Sequence, residues 1–190
     1  MLKNNFQIKQ PTCPWWFLFT FDNPLRKIYQ DPFDILVPFI REGDTVVDLG
    51  CGMGYFSLPM ASLVGESGKV IAVDLQSQML NGLKRRAEKA GLQNRIQLHN
   101  CTQDQIGISE PVDFVLAFWM VHEVHEPRAF FEQIREMLHP GGQLLIAEPY
   151  IHVTRIGFER TLAEVIDSGF SVVGSVSIGF SRSILAQKDH

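Results

Sequence analysis

Long basic runs, long apolar runs and an even set of cysteines are all missing from this sequence, and each absence removes a class of function. No run of Lys and Arg exceeds Lys84-Arg85-Arg86, and the formal charge over 190 residues is −4. The chain therefore advertises no electrostatic grip on a phosphate backbone, and nucleic acid is not expected as a partner. No apolar stretch approaches the roughly 20 residues that a bilayer span requires, so no membrane span is expected. Cysteine is scarce and odd in number, at Cys13, Cys51 and Cys101, and Met1-Leu2-Lys3-Asn4-Asn5 leads into no secretory hydrophobic region. That usage fits a reducing cytoplasm better than a disulfide-stapled secreted domain. Low-complexity tracts and solenoid repeats are absent too.

What remains is an ordinary globular composition, 45% hydrophobic and 20% charged, long enough for one sizeable core. From Thr45 onward, short β-branched runs alternate with amphipathic stretches, the pattern of βαβ units around a parallel sheet. Strands are expected over Thr45–Leu49, Lys69–Asp74, Arg95–His99, Val112–Trp119 and Gln143–Glu148. Helices are expected over Tyr55–Val64, over a segment capped by Ser77 and closed by Gly91, and over Pro127–Leu138. A further helix, about Phe158–Ser168, precedes two strands over Phe170–Ser177 and Arg182–Gln187. Their link through Gly179 is too short for a crossover helix, so these two strands must be antiparallel neighbours. The expected fold class is α/β, a doubly wound, Rossmann-like sheet of seven strands, mostly parallel and ending in an antiparallel hairpin. Residues 43–190 make up this domain, and residues 1–42 a short aromatic cap that includes Trp15-Trp16-Phe17. Within the cap, Asp31-Pro32 reads as the start of a helix running toward Ile40.

The chemistry concentrates where the first strand ends. Asp48-Leu49-Gly50-Cys51-Gly52-Met53-Gly54 runs from a strand into a helix, and its glycines remove the Cβ atoms that would keep a ligand away from the backbone. In the dinucleotide fingerprint a third small residue follows the second glycine by three places; that place is Tyr55, which argues against NAD. Asp48 would repel a pyrophosphate and attract a ligand carrying an ammonium and a sulfonium. Asp74, ending the second strand, stands where an acid accepts hydrogen bonds from the two hydroxyls of an adenosine ribose, with Leu75 beside it.

Val46-Val47-Asp48-Leu49-Gly50-Cys51-Gly52-Met53-Gly54 resembles the first motif of class I S-adenosylmethionine-dependent methyltransferases, and Asp74 matches their acidic second motif. Leu138-His139-Pro140-Gly141-Gly142-Gln143-Leu144 is similar to the turn before the fifth strand in the small-molecule branch that contains quinone and sterol methyltransferases. The resemblance runs from about Gly43 to the C-terminus. It implies S-adenosyl-L-methionine as cofactor, held by Asp48, Gly50, Cys51, Gly52, Gly54, Asp74, Leu75, Cys101, Thr102 and Phe118, and methyl transfer to a small-molecule acceptor by in-line displacement. Two departures narrow it. The acid that many relatives place after the third strand is replaced by Asn100-Cys101-Thr102, leaving adenine to Thr102, the Cys101 backbone, Gln103 or Asp104. After the fourth strand, Ala117-Phe118-Trp119-Met120-Val121-His122 lacks the Asn/Asp-Pro-Pro-aromatic corner of base and amino-group methyltransferases, which disfavours N-methylation of bases.

His122 is the candidate general base, since imidazole titrates near neutrality and the position lies at the ligand-binding edge of the sheet; the alternative is a histidine that only lines the pocket. His122, His125 and Glu126 lack the spacing of a metal site, and no metal is expected. The cysteines read as buried apolar thiols in preference to a thiophilic cluster around arsenite. Two other functions stay open: a non-catalytic module that binds S-adenosylmethionine and acts through partners, and an NAD-dependent oxidoreductase.

Overall fold

β-Branched and aliphatic runs bounded by glycine become a seven-stranded sheet in the computed structural model of the chain, which describes residues 24–189. The strands are β1 (Thr45–Leu49), β2 (Lys69–Asp74), β3 (Ile96–Asn100), β4 (Val112–Phe118), β5 (Leu138–Pro149), β6 (Phe170–Gly174) and β7 (Ser181–Lys188), and their order is β3-β2-β1-β4-β5-β7-β6. β1 pairs in parallel with β2 and β4, β2 with β3, and β4 with β5, while β7 runs antiparallel to both β5 and β6. The expected mostly parallel sheet closed by an antiparallel hairpin is what forms. The strand order reverses between β1 and β4, and in such sheets the crevice beyond the carboxyl ends of those strands is where ligands bind.

Among the described residues five α-helices flank the sheet: α1 (Pro32–Leu36), α2 (Ser57–Leu63), α3 (Ser77–Ala90), α4 (Pro127–Met137) and α5 (Arg155–Asp167). Val47 and Leu49 of β1 share one cluster with Phe131 and Ile134 of α4 and Val165 of α5, whereas Val46 shares another with Leu36 of α1 and Met60 of α2. The strand period of two therefore sends Asp48 to the α1–α2 side, at the end of β1, where α2 begins. Among the described residues no helix is long and apolar enough to cross a membrane.

Several boundaries differ from the sequence expectation for identifiable reasons. Gln76, not Ser77, is the residue before α3, and no side chain caps it; instead the Asp74 carboxylate accepts the Gln76 N–H at 2.8 Å. α5 starts at Arg155 because Thr154 Oγ1 accepts the Gly157 N–H at 3.1 Å, an N-cap that brings the helix start forward from Phe158. β5 begins at Leu138, paired with Val112, and the register shift between Val112 and Phe114 absorbs the residues before Gln143. Arg95 falls in a 3₁₀ turn ahead of β3, and α2 starts at Ser57, two residues after Tyr55. β4 stops at Phe118 because Trp119 turns into the left-handed region at φ 58°. β6 ends at Gly174, short of Ser177. Asp31 does cap α1, accepting the Phe33 N–H at 2.8 Å, but that helix ends at Leu36, before Ile40. Trp15, Trp16, Phe17 and Cys13 lie outside the described residues.

Candidate functional site

A cleft of about 800 Å³ opens at the carboxyl ends of β1, β2 and β4, lined by Asp48, Gly50, Cys51, Gly52, Asp74 and Leu75 and, farther along, by Cys101, Thr102, Phe118 and His122. The turn after β1 is held to β2 by its own backbone: the Gly50 and Cys51 N–H groups both donate to Val73 O, at 2.9 and 3.0 Å. Gly50 has φ 69°, and a Cβ there would stand 3.0 Å from Met120 Cβ, so glycine is what this wall admits. Gly54 does not line the cleft. Its φ is 87° and an added Cβ would fall 2.2 Å from Leu83 Cδ1, so its missing side chain makes room for α3 rather than for a ligand.

Two carboxylates sit at this end. Asp48 is 2% exposed and accepts a 2.5 Å hydrogen bond from Ser57 Oγ, the first residue of α2. Burial pushes its carboxyl up to about 7, with the nearby Asp74 adding to the rise and Ser57 and Arg26 opposing it. A buried acid poised near neutrality favours its ionised form as soon as a cation lies beside it. Asp74 takes the Gly52 N–H at 2.9 Å on one oxygen and the Gln76 N–H at 2.8 Å on the other. Burial raises its pKa as well, against those two bonds. A carboxylate has about four lone-pair sites, so two backbone donors leave capacity for ribose hydroxyls.

The loop after β3 is stitched back to β2 and α4. Asn100 Nδ2 donates to Asp74 O and Leu75 O at 2.8 and 3.0 Å. Thr102 Oγ1 accepts the Gln105 N–H, and Gln133 of α4 accepts the Ile106 N–H while donating to Asp104 O. Burial raises the Cys51 thiol well above its ordinary value and Cys101 to about 11, so both stay neutral in the cleft wall.

The β4–β5 end is different. Trp119 hydrogen-bonds through Nε1 to Ser181 Oγ at 2.8 Å, and a 3₁₀ turn over Val121–Glu123 follows. On that turn His122 Nδ1 lies 2.5 Å from Oε2 of Glu148, which is 1% exposed. The Glu148 hydrogen bond raises the His122 pKa, its burial opposes this, and the charges of Glu148 and Glu123 add to the rise. The His152 ring stacks on His122 with centroids 5.6 Å apart. Between the two ends, the Arg26 guanidinium lies 4.0 Å from the Tyr55 ring centroid and 5.0 Å from that of Trp119.

Sequence reasoning missed Glu148, His152 and Arg26. Glu148 carried no local signal: it reaches His122 only because Phe118 of β4 pairs with Ala147 of β5, which sets the next residue of β5 beside the turn that follows β4. Arg26 lies ahead of the alternating pattern and carried none. Among the described residues no group of three or more His, Cys, Asp or Glu side chains could hold a metal ion.

The family model described as a methyltransferase domain matches residues 40–176. A probable cobalt-precorrin-6B C(15)-methyltransferase (decarboxylating) of Saccharolobus solfataricus is 42% identical over 153 residues, 78% of this chain and 69% of that protein. A ubiquinone biosynthesis O-methyltransferase of Cereibacter sphaeroides is 35% identical over 113 residues, 59% of this chain; the match spans only 44% of that relative's length. The crystal structure of a SAM dependent methyltransferase from Aquifex aeolicus superposes with a TM-score of 0.82 at 28% identity, covering 93% of this chain and 99% of that one.

Proposed function

Since the chain belongs to the S-adenosylmethionine-dependent methyltransferases of the Rossmann-like class, we propose that it methylates a hydroxyl oxygen of a small-molecule acceptor. One observation carries this reading: a single cleft holds two buried acids at the β1–β2 end and, at the β4–β5 end, a histidine braced by a buried glutamate. The first end suits a cationic adenosyl ligand, and the second suits removal of a proton.

S-adenosylmethionine supplies a methyl group already activated by its sulfonium. The protein's own work is then alignment, exclusion of water and, for a weak nucleophile, one proton transfer. Asp74 holds the ribose hydroxyls, and its bond to Gly52 fixes the loop in the shape that receives the cofactor. Asp48 sets a negative charge beside the amino-acid end. Phe118 and Trp119 supply an apolar wall, and His122 takes the proton from the acceptor hydroxyl. In its described part, residues 24–42, the segment ahead of domain 43–190 acts as a cap: Arg26 lines the cleft, and Gln30 donates to Gly179 O at 2.6 Å beside β7. A pyrophosphate cofactor would be repelled by both acids, which weighs against NAD.

The test is turnover of S-adenosylmethionine to S-adenosylhomocysteine with hydroxylated small molecules in one arm and bulk tRNA in the other. Turnover is expected in the first arm, and His122→Ala lowers it by roughly 10²–10⁴-fold. Methylation confined to the tRNA arm would overturn the small-molecule reading. Binding with no turnover in either arm would favour a silent module, and stabilisation by NADH but not by S-adenosylmethionine would overturn the cofactor assignment.

A further inference from the structure

Glu148 is nearly the last residue of β5, and both of its oxygens are engaged. Oε1 accepts the Val121 N–H at 2.9 Å, and Oε2 faces His122 Nδ1 at 2.5 Å. A carboxylate offers only acceptors, so the short contact requires the hydrogen to reside on Nδ1; an unprotonated Nδ1 would set lone pair against lone pair. One side chain thus fixes both the backbone turn that carries His122 and the ring itself.

We infer that Glu148 is the positioning residue for His122, holding the imidazole as the Nδ1–H tautomer so that Nε2 is the nitrogen presented to the cleft. The inference rests on the reading of His122 as the proton acceptor. With this tautomer the acceptor's O–H proton passes to Nε2, and the O–H electron pair stays with the oxygen that forms the new O–C bond. The S–C pair stays on sulfur, the hydrogen on Nδ1 stays there and keeps donating to Glu148 Oε2, and the ring becomes an imidazolium whose charge the carboxylate balances. The proton leaves to water once product has gone. Glu148 thereby both orients the base and stabilises its charged form, as an acid beside a catalytic histidine does in hydrolytic triads.

Among the described residues the groups facing His122 are these. Glu148 comes from β5, His152 stacks on the ring from the loop after β5, and Glu123 shares its own turn. The two acids favour the imidazolium, while partial burial works against it. His152 carries no negative charge, so the acids alone supply the upward shift.

The experiment is ¹⁵N NMR of histidine-labelled protein without ligands, titrated through neutrality. The ring-nitrogen shifts of His122 are expected to show hydrogen on Nδ1 in the neutral form and a midpoint above that of an exposed histidine. Glu148→Gln lowers that midpoint by on the order of one pH unit, and Glu148→Asp, which keeps the charge, restores part of the shift. A neutral His122 of the Nε2–H form in the unaltered protein would overturn the assignment without recourse to any variant, and so would an unchanged midpoint in a folded Glu148→Gln. These readouts need no acceptor, so they are independent of the base role, which turnover by His122→Ala tests separately.

Discussion

At the β1–β2 end of the cleft the polar groups come from strand ends and the backbone that follows: Asp48 is next to last in β1 and Asp74 is last in β2, and Gly50, Cys51 and Gly52 bond directly to β2 or its last carboxylate. At the β4–β5 end they come from a three-residue 3₁₀ turn and a loop, with one buried glutamate holding the histidine in place. The first end is preformed by the sheet, which any strand-to-glycine turn of this order produces. The second depends on individual side chains, which vary without disturbing the sheet. On the proposed function, that division makes the β1–β2 end the donor site, set by the fold, and the β4–β5 end the acceptor site, set by side chains.

The strongest way to break this contrast is at Asp74. Asp74→Ala removes the partner of the Gly52 and Gln76 N–H groups and, on the proposed function, the acceptor for two ribose hydroxyls. Hydrogen bonds to a charged group contribute about 1.5–3 kcal/mol each, so calorimetry is expected to show S-adenosylmethionine binding weakened by about 100-fold or more. Unchanged affinity would remove Asp74 from the site.

Asp48 comes next, and its effects oppose one another. Its folded-state pKa of about 7 lies above the 3.8 of an ordinary aspartate. The group's contribution to stability is therefore fully present below pH 3.8 and is lost as pH rises through about 7. Asp48→Asn abolishes the cost of burying that charge. In the ligand-free protein it is expected to stabilise the fold at pH 8 by on the order of 2–4 kcal/mol, read from denaturant midpoints at pH 5 and pH 8. Cofactor affinity should move the other way. A bound cation favours the ionised acid, so affinity rises up to about tenfold per pH unit below the pKa and levels off above it, and Asp48→Asn flattens that slope. Parallel slopes in the two proteins would show that Asp48 does not meet the cofactor's charge.

Gly54 sharpens the contrast within the donor end, between a glycine on the cleft wall and one behind it. Gly54→Ala forces a side chain onto φ 87° and crowds the flexible end of Leu83. A loss of about 1–3 kcal/mol in unfolding free energy is expected, with cofactor affinity largely retained. Gly50→Ala instead presses on Met120 at the cleft and should cost affinity. Equal losses of affinity in both variants would return Gly54 to the ligand.

How much of this was legible depended on which forces set each feature. The short continuous apolar runs around Val46-Val47 and Val70-Ile71, buried on both faces of a parallel sheet and set beside Gly50 and Gly68, specify strands from the sequence, so the sheet and its first two acids are legible there. Asp48 and Asp74 were readable because strand ends at a reversal of order always face the crevice. Glu148 was not, because its partner is 26 residues away and the pair forms only through the β4–β5 register. Gly54 reads in the sequence like its neighbours because spacing alone cannot separate a glycine that admits a ligand from one that admits Leu83. Ser77 was taken for a cap because nothing local shows that the Asp74 carboxylate already holds the Gln76 N–H.

The smallest expected effect is the sharpest check on the division itself. His122 bonds to Glu148 and stacks on His152, whereas Asp48 bonds to Ser57 and Asp74 to the Gly52 and Gln76 N–H groups, so the two sets share no hydrogen-bond partner among these. Substitutions at sites with no shared partners act independently. His122→Ala, which should cripple turnover, is therefore expected to leave S-adenosylmethionine affinity within about twofold, a coupling of under about 0.5 kcal/mol. Calorimetry on the ligand-free variant measures it directly. A loss of tenfold or more would mean that the His122–Glu148 pair also shapes the donor end, through Met120 against Gly50, and that the cleft works as one coupled site in place of two.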